Sequence, residues 1–157
     1  MQRSQLLRAI GALGAVMAGA IPSRLAAGPS RHITLHVVSG ATGKLGPDHA
    51  RHDAFEPASF TIPANVPVTI TVINQDPEAH SITSSGIPID QEIAAAKKGK
   101  DGKIIAVTTT FTMKVRPGKY RWFCKEPCDR ESTMWSMGSG ATGRGEEGFM
   151  AGYITAV

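Results

Sequence analysis

The chain has 157 residues, with 17 lysines and arginines against 13 aspartates and glutamates, and a net charge of +4. That length suits one domain, the basic residues read as scattered, and no stretch beyond the N-terminal region is apolar enough to span a bilayer, which argues against nucleic-acid binding and a multispanning membrane protein. The two cysteines stand close together and are too few for a scaffold built on disulfides.

Residues 1–27 carry Arg3 and Arg8, then an apolar run over 9–21, then small residues. This is the layout of a secretory signal peptide, with cleavage sites offered after Ala20 and after Ala27. The run is shorter than the ~20 residues of a membrane span. The expectation is therefore export, to the periplasm or beyond, of a soluble domain over 28–157 with no stable membrane insertion after cleavage.

Residues 31–40, RHITLHVVSG, are rich in β-branched side chains and end at Ser-Gly, which predicts a strand running into a turn. A polar loop over 41–58 follows. In residues 60–76, FTIPANVPVTITVINQD, Val66, Val68, Ile70 and Val72 alternate with threonines, and the prolines are confined to the start. HSITSS, from His80, predicts a short strand. DQEIAAAKKGK, residues 90–100, predicts the one short helix, closed by glycine.

TTTFTMKV, residues 108–115, sets Phe111, Met113 and Val115 against threonines, and Pro117-Gly118 turns the chain into KYRWFC, residues 119–124. A glycine-rich stretch over 137–148 is flexible by composition, and FMAGYITAV closes the chain as a last strand. Many short strands with Pro/Gly turns predict an all-β sandwich.

The residues able to do chemistry gather around two places. His80 ends the loop NQDPEAH just as a strand resumes, a position from which a scaffold can present a side chain. Cys124 continues the alternation of Tyr120 and Trp122 and should face the core with them, and Cys128 follows four residues later. A disulfide between the cysteines, a redox pair and metal ligation are all open. Thiolate, imidazole and thioether together form a copper set, and Met134, Met137 and Met150 are available. His32 and His36 share a strand face about 13 Å apart, too far to chelate one metal. No nucleophile–base pair or carboxylate pair stands out by spacing, so an enzyme is not expected, and Glu146-Glu147 reads as a solvated loop.

Three segments in order resemble the cupredoxin family: AFEPASFTIPANVPVTITVINQDPEAH, RPGKYRWFC and MAGYITAV. The resemblance covers roughly residues 32–157 and implies a Greek-key cupredoxin-like β-sandwich with one short helix and copper as the cofactor. It designates His80, Cys124 and Met150 as ligands. Within that family CKEPC is similar to the binuclear CuA motif of cytochrome oxidase subunit II and nitrous oxide reductase, which adds Cys128. The positions where CuA centres carry histidine and methionine after the cysteines hold Ser132 and Trp135. The site could be completed by His49 or His52 from the 41–58 loop, or by Cys128 standing in for the histidine. The resemblance implies a one-electron carrier serving a redox protein partner such as a cytochrome or oxidase. The alternative is a copper chaperone or storage protein handing the metal to an acceptor protein, and a metal-free sandwich with a Cys124–Cys128 disulfide is a third possibility.

Overall fold

A computed structural model of the chain describes residues 30–138 and 144–157. The signal-peptide segment lies outside these residues, as does part of the glycine-rich stretch. The strands are β1 (His32–Val38), β2 (Lys44–Leu45), β3 (Arg51–His52), β4 (Ala54–Glu56) and β5 (Phe60–Ile62). They continue with β6 (Val68–Asn74), β7 (His80–Ser84), β8 (Ile89–Ile93), β9 (Lys97–Lys98) and β10 (Ile104–Ile105). β11 (Val107–Met113), β12 (Gly118–Phe123) and β13 (Ala151–Ala156) complete them.

Two sheets face each other. One runs β11-β6-β1-β4 and the other β5-β13-β12-β7-β8, with small hairpins formed by β2 with β3 and β9 with β10. The period-2 alternation read from the sequence decides what lies between them. In β6, Val68, Ile70, Val72 and Asn74 are buried while the intervening residues are half-exposed, and β1 contributes Leu35 and Val37 from the neighbouring strand. Trp122, Ile82 and Ile154 answer from the other sheet, with Phe55 closing one end. Burial of these side chains is the main stabilising term of the sandwich. Gly152 sits opposite Trp122 in the β12–β13 ladder, and a Cβ there would collide with the Ala58 carbonyl, which accepts the Trp122 indole N–H at 2.9 Å.

The helix expected over 90–100 does not form, and the described residues hold only short 3-10 turns besides strands. The segment enters β8, which pairs antiparallel with β7 in the register His80↔Ile93, and then β9, which pairs with β10. Alanines 94–96 are too few to nucleate a helix against this pairing. They are held in place instead, since Ala94 O accepts from Asn74 Nδ2 at 2.9 Å and Ala96 N–H donates to Asp76 O at 2.8 Å.

The strand directions bring the chemistry to one end. β6 finishes at Asn74, β7 starts at His80, β12 finishes one residue before Cys124, and β13 starts one residue after Met150.

Candidate metal centre

Asn74 builds the loop that presents His80. Fully buried, it donates from Nδ2 to the carbonyls of Glu78 and Ala94, each at 2.9 Å, and its Oδ1 accepts the Asp76 N–H at 2.8 Å. The Asp76 carboxylate is thereby turned toward the imidazole four residues on, and its Oδ2 lies 2.8 Å from His80 Nε2. With Nε2 engaged, Nδ1 is the nitrogen left facing the sulfur atoms, 4.0 Å from Cys124 Sγ.

Cys124 is fixed through its backbone and its sulfur. Its N–H donates to Met150 O at 2.8 Å, its Sγ accepts the Ser81 N–H at 3.3 Å, and the next N–H, of Lys125, donates to Ser81 Oγ at 2.9 Å. The chain then folds back within CKEPC, where Cys128 N–H donates to Glu126 O at 2.9 Å. This tight return sets the two Sγ atoms 3.8 Å apart with no disulfide between them. His80, Cys124 and Cys128 thus offer one nitrogen and two sulfurs within 4.8 Å of one another, all fully buried.

Beyond Cys128 the loop depends on left-handed backbone at Asp129, Thr133 and Met134 and on two 3-10 turns, Arg130–Ser132 and Trp135–Met137. Buried Asp129 organises it. Its carboxylate accepts from His52 Nδ1 at 2.9 Å, Asp53 N–H at 3.1 Å and Ser136 N–H at 2.9 Å, while its own N–H donates to Asp53 Oδ2 at 2.6 Å. The second turn delivers Met137, whose Sδ lies 2.9 Å from Cys128 Sγ.

The histidines other than His80 stand apart from the cluster. His52 is buried, but both of its ring nitrogens are engaged, by Asp129 and by Asp48, and its ring packs 4.7 Å from that of Trp135. His49 is exposed, and His32 bonds Thr71 across the sheet. Ser132, at the position of the CuA histidine, donates its hydroxyl to the Arg51 carbonyl. Met150 is buried beside Cys124, and its carbonyl accepts the Cys124 N–H. The sequence reasoning passed over Asp76 and Asp129, and it named Met137 only as one of three available thioethers. Asp76 could have been found from its spacing, since a carboxylate four residues before a loop histidine can reach back to it; Met137 had no signal beyond lying in the loop.

Charge is unevenly divided among these groups. The hydrogen bond from Cys128 and the nearby His80 outweigh burial and bring the Cys124 thiol down to about 4. Cys128, donating to Cys124 and buried, is pushed far above the usual thiol range and stays protonated. Burial works against a charged His80, but Asp76 and Cys124 prevail and raise it to about 9. Burial and the Asp76 charge lift Asp53 to about 7. The metal-free cluster is therefore a thiolate–imidazolium pair with a neutral thiol beside it.

Imidazole, two cysteine sulfurs and a thioether suit a soft metal with nitrogen tolerance, and copper fits this donor set better than a hard cation would. Phe55 stands edge-on to both His80 and Trp122, at ring-centroid distances of 5.9 and 4.9 Å, and walls the cluster off on the core side.

A family description of the cupredoxin-like domain matches residues 12–133. The chain belongs to the cupredoxin-like family. No curated protein matches it. Among solved structures, dithionite-reduced auracyanin from the photosynthetic bacterium Roseiflexus castenholzii is 17% identical with a TM-score of 0.44, the match covering 83% of this chain and 99% of that one. Rusticyanin from Thiobacillus ferrooxidans is 24% identical with a TM-score of 0.47, covering 80% and 76%. The β-sandwich of this cupredoxin-like chain accords with its family, while its Cys-x3-Cys cluster and the engagement of His52 by carboxylates are features of its own residues.

Proposed function

We propose that this cupredoxin-like protein is an exported one-electron carrier, and not an enzyme, with copper held by His80, Cys124 and Cys128 and a methionine thioether. The juxtaposition of His80 Nδ1 with two cysteine sulfurs in a fully buried cluster is the observation that carries the reading. Met150 is the thioether that the family resemblance designates, and Met137 is the one in contact with Cys128. Export rests on the layout of residues 1–27.

Copper would supply the Cu(I)/Cu(II) couple, and the chain's own residues do the rest. Asp76 fixes the imidazole and leaves Nδ1 free, and Ser81 N–H stabilises negative charge on Cys124 Sγ. Pairing within one sheet holds the ends of β7 and β12 in fixed register, which limits rearrangement of the donors on oxidation. The wall of Phe55 and Trp122 keeps water out.

Copper titration followed by optical and electron paramagnetic resonance spectra tests the reading. The expected result is a visible thiolate-to-Cu(II) band that bleaches and returns reversibly on reduction and reoxidation. A protein that binds only Cu(I), stays colourless and yields the metal to an acceptor protein would overturn it. The sulfur-rich composition of the cluster, with Met137 added to two cysteines, favours that second function, copper storage or delivery, if the oxidised state proves inaccessible.

A further inference from the structure

The lysines, read as scattered along the sequence, are concentrated in one segment that forms the β9–β10 hairpin. Lys97, Lys98, Lys100 and Lys103 all lie exposed within residues 97–103, with a single carboxylate among them, Asp101, paired to Lys103 at 3.3 Å. Ile104 and Ile105 follow on the returning strand, 45% and 55% exposed, among the few large apolar side chains the fold leaves in water. A groove of about 720 Å³ runs between this hairpin and the turn at Gly40–Thr42, with Lys98, Ile104, Thr42, Gln75 and Pro77 on its walls.

The groove adjoins the candidate metal centre through covalent and hydrogen-bonded links. Gln75 and Pro77 flank Asp76, whose carboxylate holds His80, and the base of the hairpin is bonded to the same loop through Ala96 N–H to Asp76 O and Asn74 Nδ2 to Ala94 O. Of the carboxylates flanking Pro77, Asp76 is paired with His80, and Glu78 is paired through Oε1 with Arg130 at 3.4 Å while its buried Oε2 has no hydrogen-bond partner among the described residues.

We propose that the hairpin and this groove form the docking surface for an acidic face of a protein partner. A clustered positive charge beside exposed isoleucines accelerates and orients encounter with a negative surface, and the apolar contact then holds it. The concave, partly polar groove suits a protruding acidic segment rather than a flat membrane. That the partner is the one exchanging electrons rests on the electron-carrier reading; the surface itself does not.

The test uses a fluorescein-labelled oligoglutamate peptide, with binding read by fluorescence anisotropy at low and high salt, on both metal-free and copper-loaded protein. Lys98→Glu/Lys100→Glu should weaken binding by about tenfold or more, whereas Lys114→Glu/Arg116→Glu, an equal charge reversal past the far end of β11, should change it by less than roughly twofold. Amide resonances of residues 40–42 and Gln75 should move with the peptide, and added salt should release it. Equal weakening by the two variants would reduce the effect to net charge and overturn the proposal. So would binding to phosphatidylglycerol vesicles without binding to the peptide. Since none of these readouts needs copper, failure of the electron-carrier reading would leave them unchanged and be seen separately in the spectra.

Discussion

Cys128 Sγ and Met137 Sδ lie 2.9 Å apart, so the neutral thiol of the pair is in contact with the thioether that the loop after it brings back. This contact separates two candidate methionines. If Met137 is the weak ligand, Met137→Leu lowers the number of donors, which disfavours the more highly charged Cu(II), and should raise the reduction potential and shift the visible band. Leu conserves volume closely enough that the folding cost should stay below about 1.5 kcal/mol. Met150→Leu should show the same small stability cost with little spectral change. Spectra and potentials of both variants decide it, and the reverse pattern would return the role to Met150.

Asp76 sits 4% exposed with its Oδ2 on His80 Nε2, and the Asp53 carboxylate lies within 4.8 Å of the same pair. Asp76→Asn keeps the shape but replaces an ionic acceptor with a neutral amide, so the imidazole loses the partner that fixes its orientation. Copper affinity should fall by about 10- to 100-fold, measured by competition with a coloured Cu(I) chelator. An unchanged affinity would mean that the ring is held by its packing against Phe55 alone.

The sandwich was legible because its signal is local. Alternation in residues 68–74 and 118–124 reports which face is buried: β6 buries its face, and β12 buries Trp122 with Tyr120 half-buried beside the core. The same periodicity fixed Cys124 on the core side. The 90–100 segment misled because its alanines and lysines favour a helix, whereas its conformation is decided by β7 and by Asn74 and Asp76, which are distant in sequence. The partners of His52 were hidden for the same reason, since Asp129 is 77 positions away and reaches it only when β3 and the Cys128 loop are brought together. Separation in sequence, and no weakness of the motifs, hid the surroundings of the centre while leaving His80, Cys124 and Cys128 visible.

The Cys124 thiolate in the metal-free protein owes its low pKa first to the hydrogen bond from Cys128 and then, against burial, to His80. Cys128→Ala removes that donor. The ultraviolet thiolate absorbance of the reduced, metal-free variant should therefore titrate at higher pH than the about 4 of the wild type, and copper should bind more weakly for want of a sulfur. An unshifted titration would show that His80 and Ser81 N–H suffice to hold the charge.

His52 is 1% exposed and bridges Asp48 and Asp129, at 3.0 and 2.9 Å. Burial opposes its charge, but the hydrogen bonds to the two carboxylates outweigh it and its pKa is raised above 6.5. Because the folded value exceeds the unfolded one, the proton on His52 contributes stability that is complete below about pH 6.5 and lost as pH rises through the raised folded value. His52→Gln should destabilise the metal-free protein by about 3 kcal/mol in mildly acidic buffer, mainly by leaving Asp129 buried without its charged partner. The gap between wild type and variant should narrow as the pH is raised, and denaturant melts of both at several pH values give the difference directly, with changes at other histidines cancelling. A gap independent of pH would assign His52 a packing role against Trp135 and Phe149, whose rings flank it at 4.7 and 6.2 Å, and would remove protonation from the account of how the Cys128 loop is held.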